Sequence, residues 1–412
     1  MSDSNDASEI SNLGADVDKE VLDEEPRSIL LGLISQLRKD MDLHRVTLPT
    51  FVLEPRSMCE RITDFMSHPQ LILGTSKKDD PMERFIDVVR YYLSGWHIKP
   101  KGVKKPYNPV LGEFFRCRYK LEDQTEAIYV CEQVSHHPPI SAYFYASPDN
   151  NLVIEGDLRP KSRFLGNSAA TIMGGGSRIR FLNRPGEEYH ISLPNMYVRG
   201  ILFGTMYLEL GDEVTIQCPE LDLTCELEFK TKGFFSGTYN GIAGKIKRES
   251  SGDILYKISG KWSEVIFISA VGKKGCQAEQ VLFDVSKEKC SAKIVQPECE
   301  QEEFESRRLW SRVTKAIGAR NMDDATDEKT AIEDNQRRAG KERTVEEIHW
   351  QTRFFEPSGP NWKLRLGDSI YNDPAAAKKA LADFIYSPAQ LPQHQKFWLD
   401  ESAGSPTKQR AD

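Results

Sequence analysis

Residues 128–144 read IYVCEQVSHHPPISAYF. Ile128 and Val130 alternate on one side, and Ile140, Ala142 and Phe144 alternate on the other, which is the period-two spacing of strands. Two histidines and two prolines interrupt the run between them. The same grammar extends outward from about Val110 to Val285, in Ile179/Phe181, Val214/Ile216, Leu223/Cys225/Leu227/Phe229 and Leu255/Ile258. Asp149-Asn150-Asn151, Asn183-Arg184-Pro185-Gly186 and Ser250-Ser251-Gly252-Asp253 supply turns. Many closely spaced strands without helical patterns between them predict an antiparallel barrel or sandwich rather than a parallel α/β sheet. A many-stranded barrel can enclose a ligand.

Helical patterns flank this region, so the expected class is α+β, mainly antiparallel β. Leu30, Leu33, Ile34, Leu37 and Met41 recur at helical spacing after Ile29. The stretch from Pro55 to Ser94 also reads as helix, broken at Ser67-His68-Pro69 and Lys78-Asp79-Asp80-Pro81, because proline biases its predecessor away from helix. Helical, charge-rich sequence returns after about Glu300, with a further helix from Ala375 to Ile385. Gly174-Gly175-Gly176-Ser177 lacks the lysine of a phosphate loop and reads as a flexible connection between strands.

Of the 412 residues, 39% are hydrophobic and 9% aromatic, enough for one large core or two moderate ones. The net charge of −7 is unevenly placed. Residues 1–26 carry nine acids against Lys19 alone, so that segment contributes −8 and the remainder +1. A disordered acidic tail is expected there, and the near-neutral body argues against a nucleic-acid partner. The apolar runs are too short to span a bilayer, and the acidic start is unlike a signal peptide. Eight cysteines without a C-x-x-C pair fit reduced thiols in the cytosol, with no metal-ligand spacing. No G-x-S-x-G, H-E-x-x-H or phosphate-loop motif occurs, so no catalytic residue, metal or cofactor is expected.

Three constellations remain. His136 and His137 would face opposite ways on a regular strand, but in a segment bent by prolines both imidazoles can donate to phosphate oxygens. Lys329, Glu333 and Arg337 share one helix face at i, i+4 and i+8. They form either a solvated ladder, with Glu333 pairing both neighbours, or a pair of phosphate ligands aligned by Glu333. In Lys104-Lys105-Pro106-Tyr107-Asn108-Pro109-Val110-Leu111-Gly112-Glu113, two prolines stiffen a loop that can aim a lysine at an anion.

Taken together, these residues resemble the oxysterol-binding-protein-related family. Glu132 to Pro139 reads EQVSHHPP, the family's signature octapeptide, and the KKPYNPVLGE segment and K-x-x-x-E-x-x-x-R face follow the same pattern. The resemblance runs from about Leu48 to near Leu391. It implies a nearly closed, many-stranded barrel enclosing a lipid tunnel, with an N-terminal lid. The implied domain is 27–400, with a lid at 27–47, helices at 48–104, the barrel at 105–295 and a helical region at 296–400, followed by a flexible tail at 401–412.

By the same resemblance, phosphatidylinositol 4-phosphate would be held by Lys105, Asn108, His136, His137, Lys329 and Arg337, with Glu333 organising the basic groups. LPTFVLEPRSM at 48–58 is similar to the yeast branch that carries phosphatidylserine. Its counterparts here would be Leu48, Asn108 and Ser162. The implied activity is exchange of these two lipids between the endoplasmic reticulum and the plasma membrane or another phosphoinositide-rich membrane. Sterol exchange and a lipid sensor or scaffold are the rivals. The implied setting is cytoplasmic and peripheral at membrane contact sites, with transient contact to anionic membranes and help from an endoplasmic-reticulum receptor or tether. Residues before Leu48 leave no room for a pleckstrin-homology domain or ankyrin repeats.

Overall fold

The computed structural model describes Met41 and residues 50–99, 102–201, 205–232, 238–272, 275–368, 371 and 373–388. The acidic tail, the helix expected at Ile29–Met41 and the expected lid, both apart from Met41, together with Leu48 and the C-terminal tail, lie outside the described residues.

Among the described residues nineteen strands follow one another: β1 (Leu53–Ser57), β2 (Lys105–Tyr107), β3 (Phe114–Lys120), β4 (Glu126–His136), β5 (Pro139–Ser147), β6 (Leu152–Phe164), β7 (Ser168–Phe181), β8 (Glu188–Ile191), β9 (Asn195–Arg199), β10 (Tyr207–Cys218), β11 (Leu223–Lys230), β12 (Gly241–Arg248), β13 (Ile254–Lys261), β14 (Val265–Gly272), β15 (Gly275–Cys276), β16 (Gln280–Asp284), β17 (Lys293–Ile294), β18 (Phe355–Ser358) and β19 (Asn361–Leu364). The helices are α1 (Met58–Arg61), α2 (Pro81–Ser94), α3 (Ser306–Leu309), α4 (Ser311–Gly318), α5 (Met322–Val345) and α6 (Pro374–Tyr386). Fifteen of the strands form one antiparallel sheet in the order β15-β14-β13-β12-β11-β10-β8-β7-β6-β5-β4-β3-β17, with β16 on β14 and β9 bridging β7 and β10. The order is nearly sequential because short turns can join antiparallel neighbours directly.

One face of this sheet curls around α2. Asp80 caps that helix by accepting from Met82 N–H at 2.8 Å, and Pro81 occupies its first turn. The helix packs on β16, Phe85 lies 6.0 Å from Tyr189 of β8, and burial beside Tyr145 and Tyr143 of β5 pushes the Tyr91 phenol well up. From β5 to β16 is nine neighbour steps, roughly 43 Å if flat at about 4.8 Å each. A helix of 14 residues is only about 21 Å long. Both ends can reach it only if the sheet bends strongly. Arg84 fixes the helix by a buried ion pair with Glu187 at 2.7 Å.

The middle strands are buried on both faces. Tyr129, Cys131, Tyr143 and Tyr145 join the core around α2. Ile128, Val130, Ala142 and Phe144 instead pack outward against Trp310, Phe354, Phe355, Leu381 and Ile385. The apolar alternation visible in the sequence is therefore the face turned toward the C-terminal region.

Three expectations need correction. Pro55–Ser57 belongs to β1, paired in parallel with β2, and residues 62–77 form three short 3-10 segments rather than continuous helix. Proline is tolerated on this two-stranded edge but not inside a helix. Gly174–Ser177 is not a connection but the interior of β7, where that strand leaves β9 for β8. A Cβ on Gly175 would lie 2.1 Å from the Asp157 carbonyl oxygen, and one on Gly176 would lie 2.4 Å from that of Ile191. The glycines permit backbones to approach at the changeover. The region after Glu300 also contains the β18–β19 hairpin.

Candidate functional site

Between the curved face and the N-terminal segments lies a cavity of about 270 Å³. Its wall is mainly apolar and includes Met58, Ile62, Phe65, Trp96, Ile98, Val103, Leu158, Phe164, Met173, Met196, Leu208 and Leu210. Lys105, Asn108 and Ser162 reach the same cavity, so the structure brings together three of the residues selected from sequence. Ser162 is buried and lies opposite Thr171 in the β6–β7 register, with their hydroxyl oxygens 3.0 Å apart. An apolar chamber with a few placed polar groups suits a ligand with an apolar body and a polar head. His136, His137, Lys329, Glu333 and Arg337 lie outside this lining.

The loop carrying Lys105 and Asn108 is held from behind. Glu113 is fully buried and accepts from Val110 N–H at 3.0 Å, Ser306 O–H at 2.7 Å and Trp310 Nε1–H at 2.9 Å. Burial raises its carboxyl above the ordinary range despite those donors. Tyr107 stacks on Trp310 with ring centroids 4.7 Å apart. Gly112 has φ +80°, and a Cβ there would fall 2.1 Å from the Trp350 ring. Glycine is thus required by both conformation and space.

The paired histidines sit at the β4–β5 hairpin, where His136 opposes Pro139 and only two residues intervene. The turn removes the opposite-face constraint, and the rings lie edge to face at 4.5 Å. Glu132, seven residues before Pro139, is buried and accepts from Arg353 N–H at 2.7 Å and Phe354 N–H at 2.8 Å. Its carboxyl is pushed up to about 7 by burial. These bonds tie the hairpin to the segment after α5.

Helix α5 begins with Asn321 accepting from Asp324 N–H and carries Asp323 and Asp324 in its first turn, which suits its dipole. Lys329 is buried, with Nζ 2.7 Å from Glu333 Oε1. Arg337 pairs instead with Asp334, which corrects the expectation that Glu333 engages both basic residues. The residue linking this helix to the histidines is Gln336. Its Oε1 accepts from Leu111 N–H at 2.7 Å, and its Nε2 lies 2.8 Å from His136 Nε2. Because Oε1 is the acceptor for Leu111, the amide hydrogens face His136, whose Nε2 must accept. His136 is then the tautomer that donates through Nδ1. Gln336 is i+3 from Glu333 and shares its face as well as Arg337 does, so spacing gives no basis for choosing between them.

The sequence profile of the oxysterol-binding protein family matches residues 32–374. The chain belongs to the oxysterol-binding protein family. It is 52% identical over 356 residues to an oxysterol-binding protein homologue of Schizosaccharomyces pombe, covering 84% of this chain and 74% of the relative. It is 44% identical over 354 residues to oxysterol-binding protein homolog 6 of Saccharomyces cerevisiae, covering 85% and 78%. Among solved structures it is similar to the Osh1 ORD domain in complex with ergosterol, with TM-score 0.67, 24% identity and coverage of 86% and 89%. It is also similar to the Osh3 ORD in complex with PI(4)P from Saccharomyces cerevisiae, with TM-score 0.63, 20% identity and coverage of 86% and 93%. The mainly antiparallel fold and the lipid-binding, lipid-transfer character of this oxysterol-binding protein domain follow from these matches.

Proposed function

We propose that this chain exchanges phosphatidylserine for phosphatidylinositol 4-phosphate between the endoplasmic reticulum and a phosphoinositide-rich membrane such as the plasma membrane. The supporting observation is the apolar cavity reached by Lys105, Asn108 and Ser162. Acyl chains would leave water there, gaining about 25 cal/mol per Å² buried. Lys105 and Asn108 would face the headgroup, and Ser162 with Thr171 would meet the polar part of phosphatidylserine. His136, His137, Lys329 and Arg337 would complete the phosphate shell, with Gln336 holding His136 in its donating tautomer and Glu333 setting the Lys329 head.

The two lipids would occupy the chamber in turn, so one binding event excludes the other. In this reading the protein works in the cytoplasm and touches anionic membranes only transiently, with a receptor or tether supplying the endoplasmic-reticulum address. Sterol is the second reading, favoured by the ergosterol complex of the similar Osh1 domain.

The test is lipid capture from liposomes containing phosphatidylserine, ergosterol and phosphatidylinositol 4-phosphate, followed by mass spectrometry of the reisolated protein. Phosphatidylserine and phosphatidylinositol 4-phosphate are expected, each displacing the other. Ergosterol in place of phosphatidylserine would overturn the first reading in favour of the second.

A further inference from the structure

Behind the cavity wall, three side chains distant in sequence converge. His68 lies in the break before a short 3-10 segment, His97 follows α2, and Cys290 lies between β16 and β17. His68 Nε2 is 2.9 Å from His97 Nε2 and 3.7 Å from Cys290 Sγ, and all three donor atoms lie within 4.8 Å of one another. We propose that His68 Nε2, His97 Nε2 and Cys290 Sγ form a binding site for one zinc-type divalent transition-metal ion, with a fourth position open to solvent.

Zinc prefers nitrogen and thiolate donors in tetrahedral array, with bonds of about 2.0–2.1 Å to nitrogen and about 2.3 Å to sulfur. Those lengths put two nitrogens roughly 3.3 Å apart and a nitrogen and sulfur roughly 3.6 Å apart. The Cys290–His68 spacing already matches, the histidines need to separate by a few tenths of an ångström, and His97 Nε2 and Cys290 Sγ, which lie within 4.8 Å, would settle near the same nitrogen–sulfur spacing. The surroundings support the rings in place. Phe283 lies 5.5 Å from His68 and 5.8 Å from His97 by ring centroids. Gln70 Nε2 lies 3.3 Å from His68 Nδ1 and donates to the Lys289 carbonyl at 3.1 Å, an outer contact on the ring nitrogen that would face away from the ion.

Charge and access also fit. Asp64 and Glu288 place negative charge nearby. Asp64 itself is engaged by Arg56 through two contacts of 2.7 Å, and Glu288 Oε2 accepts from Gln70 at 3.2 Å. Cys290 is exposed, which gives an ion an entry route. On binding, the thiol proton leaves to solvent as the sulfur–metal bond forms, and His97 carries its proton on Nδ1. Trp96 and Ile98, on either side of His97, line the lipid cavity, so the ion would clip the end of α2 to the segment before β17.

The full chain, stripped with a chelator, should be titrated with Co²⁺ alone and then with Zn²⁺. One equivalent of Co²⁺ is expected to bind and give a thiolate-to-cobalt absorption in the near ultraviolet, which Zn²⁺ then abolishes. Cys290→Ser, with Cys276 and Cys299 intact, should lose that absorption while its circular dichroism is unchanged. His97→Gln should weaken Co²⁺ binding at least about tenfold, the lower range for even outer partners of a metal site. Wild-type protein without the absorption, or Cys290→Ser protein retaining it, would overturn the proposal.

Discussion

The variant His136→Ala/His137→Ala is expected to capture phosphatidylinositol 4-phosphate from liposomes at least about a hundredfold less well, while phosphatidylserine capture stays within about twofold. Each imidazole donating to a phosphate contributes about 1.5–3 kcal/mol, as hydrogen bonds to charged groups do. Two of them amount to about 3–6 kcal/mol, and 1.4 kcal/mol corresponds to a factor of ten. The rings lie at a hairpin, outside the two hydrophobic cores, so their loss should spare the fold. Equal loss for both lipids, measured by the same capture and mass spectrometry, would mean that the pair supports the hairpin rather than the phosphate. Gln336→Leu serves as a graded companion. It leaves both rings but removes the amide that selects the His136 tautomer, so its defect should follow the same lipid and be smaller.

The largest stability effect is expected at Glu113. Glu113→Ala leaves the Trp310 indole and the Val110 amide without their acceptor and the Ser306 hydroxyl with the Phe114 carbonyl alone. Each buried group costs about 1–3 kcal/mol when unsatisfied. Relief of the buried carboxyl offsets part of that, leaving a net loss of about 3 kcal/mol. Glu113→Gln should cost less than about 1 kcal/mol. Its oxygen can face Val110 and Trp310 while its NH₂ donates to Ser306, whose hydroxyl still donates to the Phe114 carbonyl at 3.1 Å. Urea unfolding of the two variants checks the pair. Similar midpoints for alanine and glutamine would show that Glu113 does not hold the 104–113 loop through its hydrogen bonds.

The strands were legible because one period repeats through them and because Asn151, at φ 54°, and Gly186, at φ 86°, mark real reversals. What periodicity could not give was direction. On β4 both alternating sets are buried, and the branched set Ile128 and Val130 faces outward while the inner face is built from Tyr129 and Cys131. The glycine run misled for a related reason. Glycine marks both loops and close backbone approach, and only the neighbouring β8 and β6 carbonyls decide between them.

Within the site, the octapeptide and the lysine loop could be located from sequence, and Lys105, Asn108 and Ser162 do reach one chamber. The residues that position them were hidden. Glu113 and Glu132 look like ordinary surface acids until the segments after Glu300 fold over them. Gln336 is indistinguishable by spacing from its neighbour Arg337. The His68, His97 and Cys290 group was invisible, because its members are separated by 29 and 222 positions and meet only through tertiary packing.

The most direct measurement of the central claim is transfer of labelled phosphatidylserine from donor to acceptor liposomes, with and without phosphatidylinositol 4-phosphate in the acceptor. Exchange predicts that the phosphoinositide accelerates phosphatidylserine movement and itself appears in the donor, in step with it. Phosphatidylserine movement at one rate in both conditions, or movement of sterol alone, would contradict it.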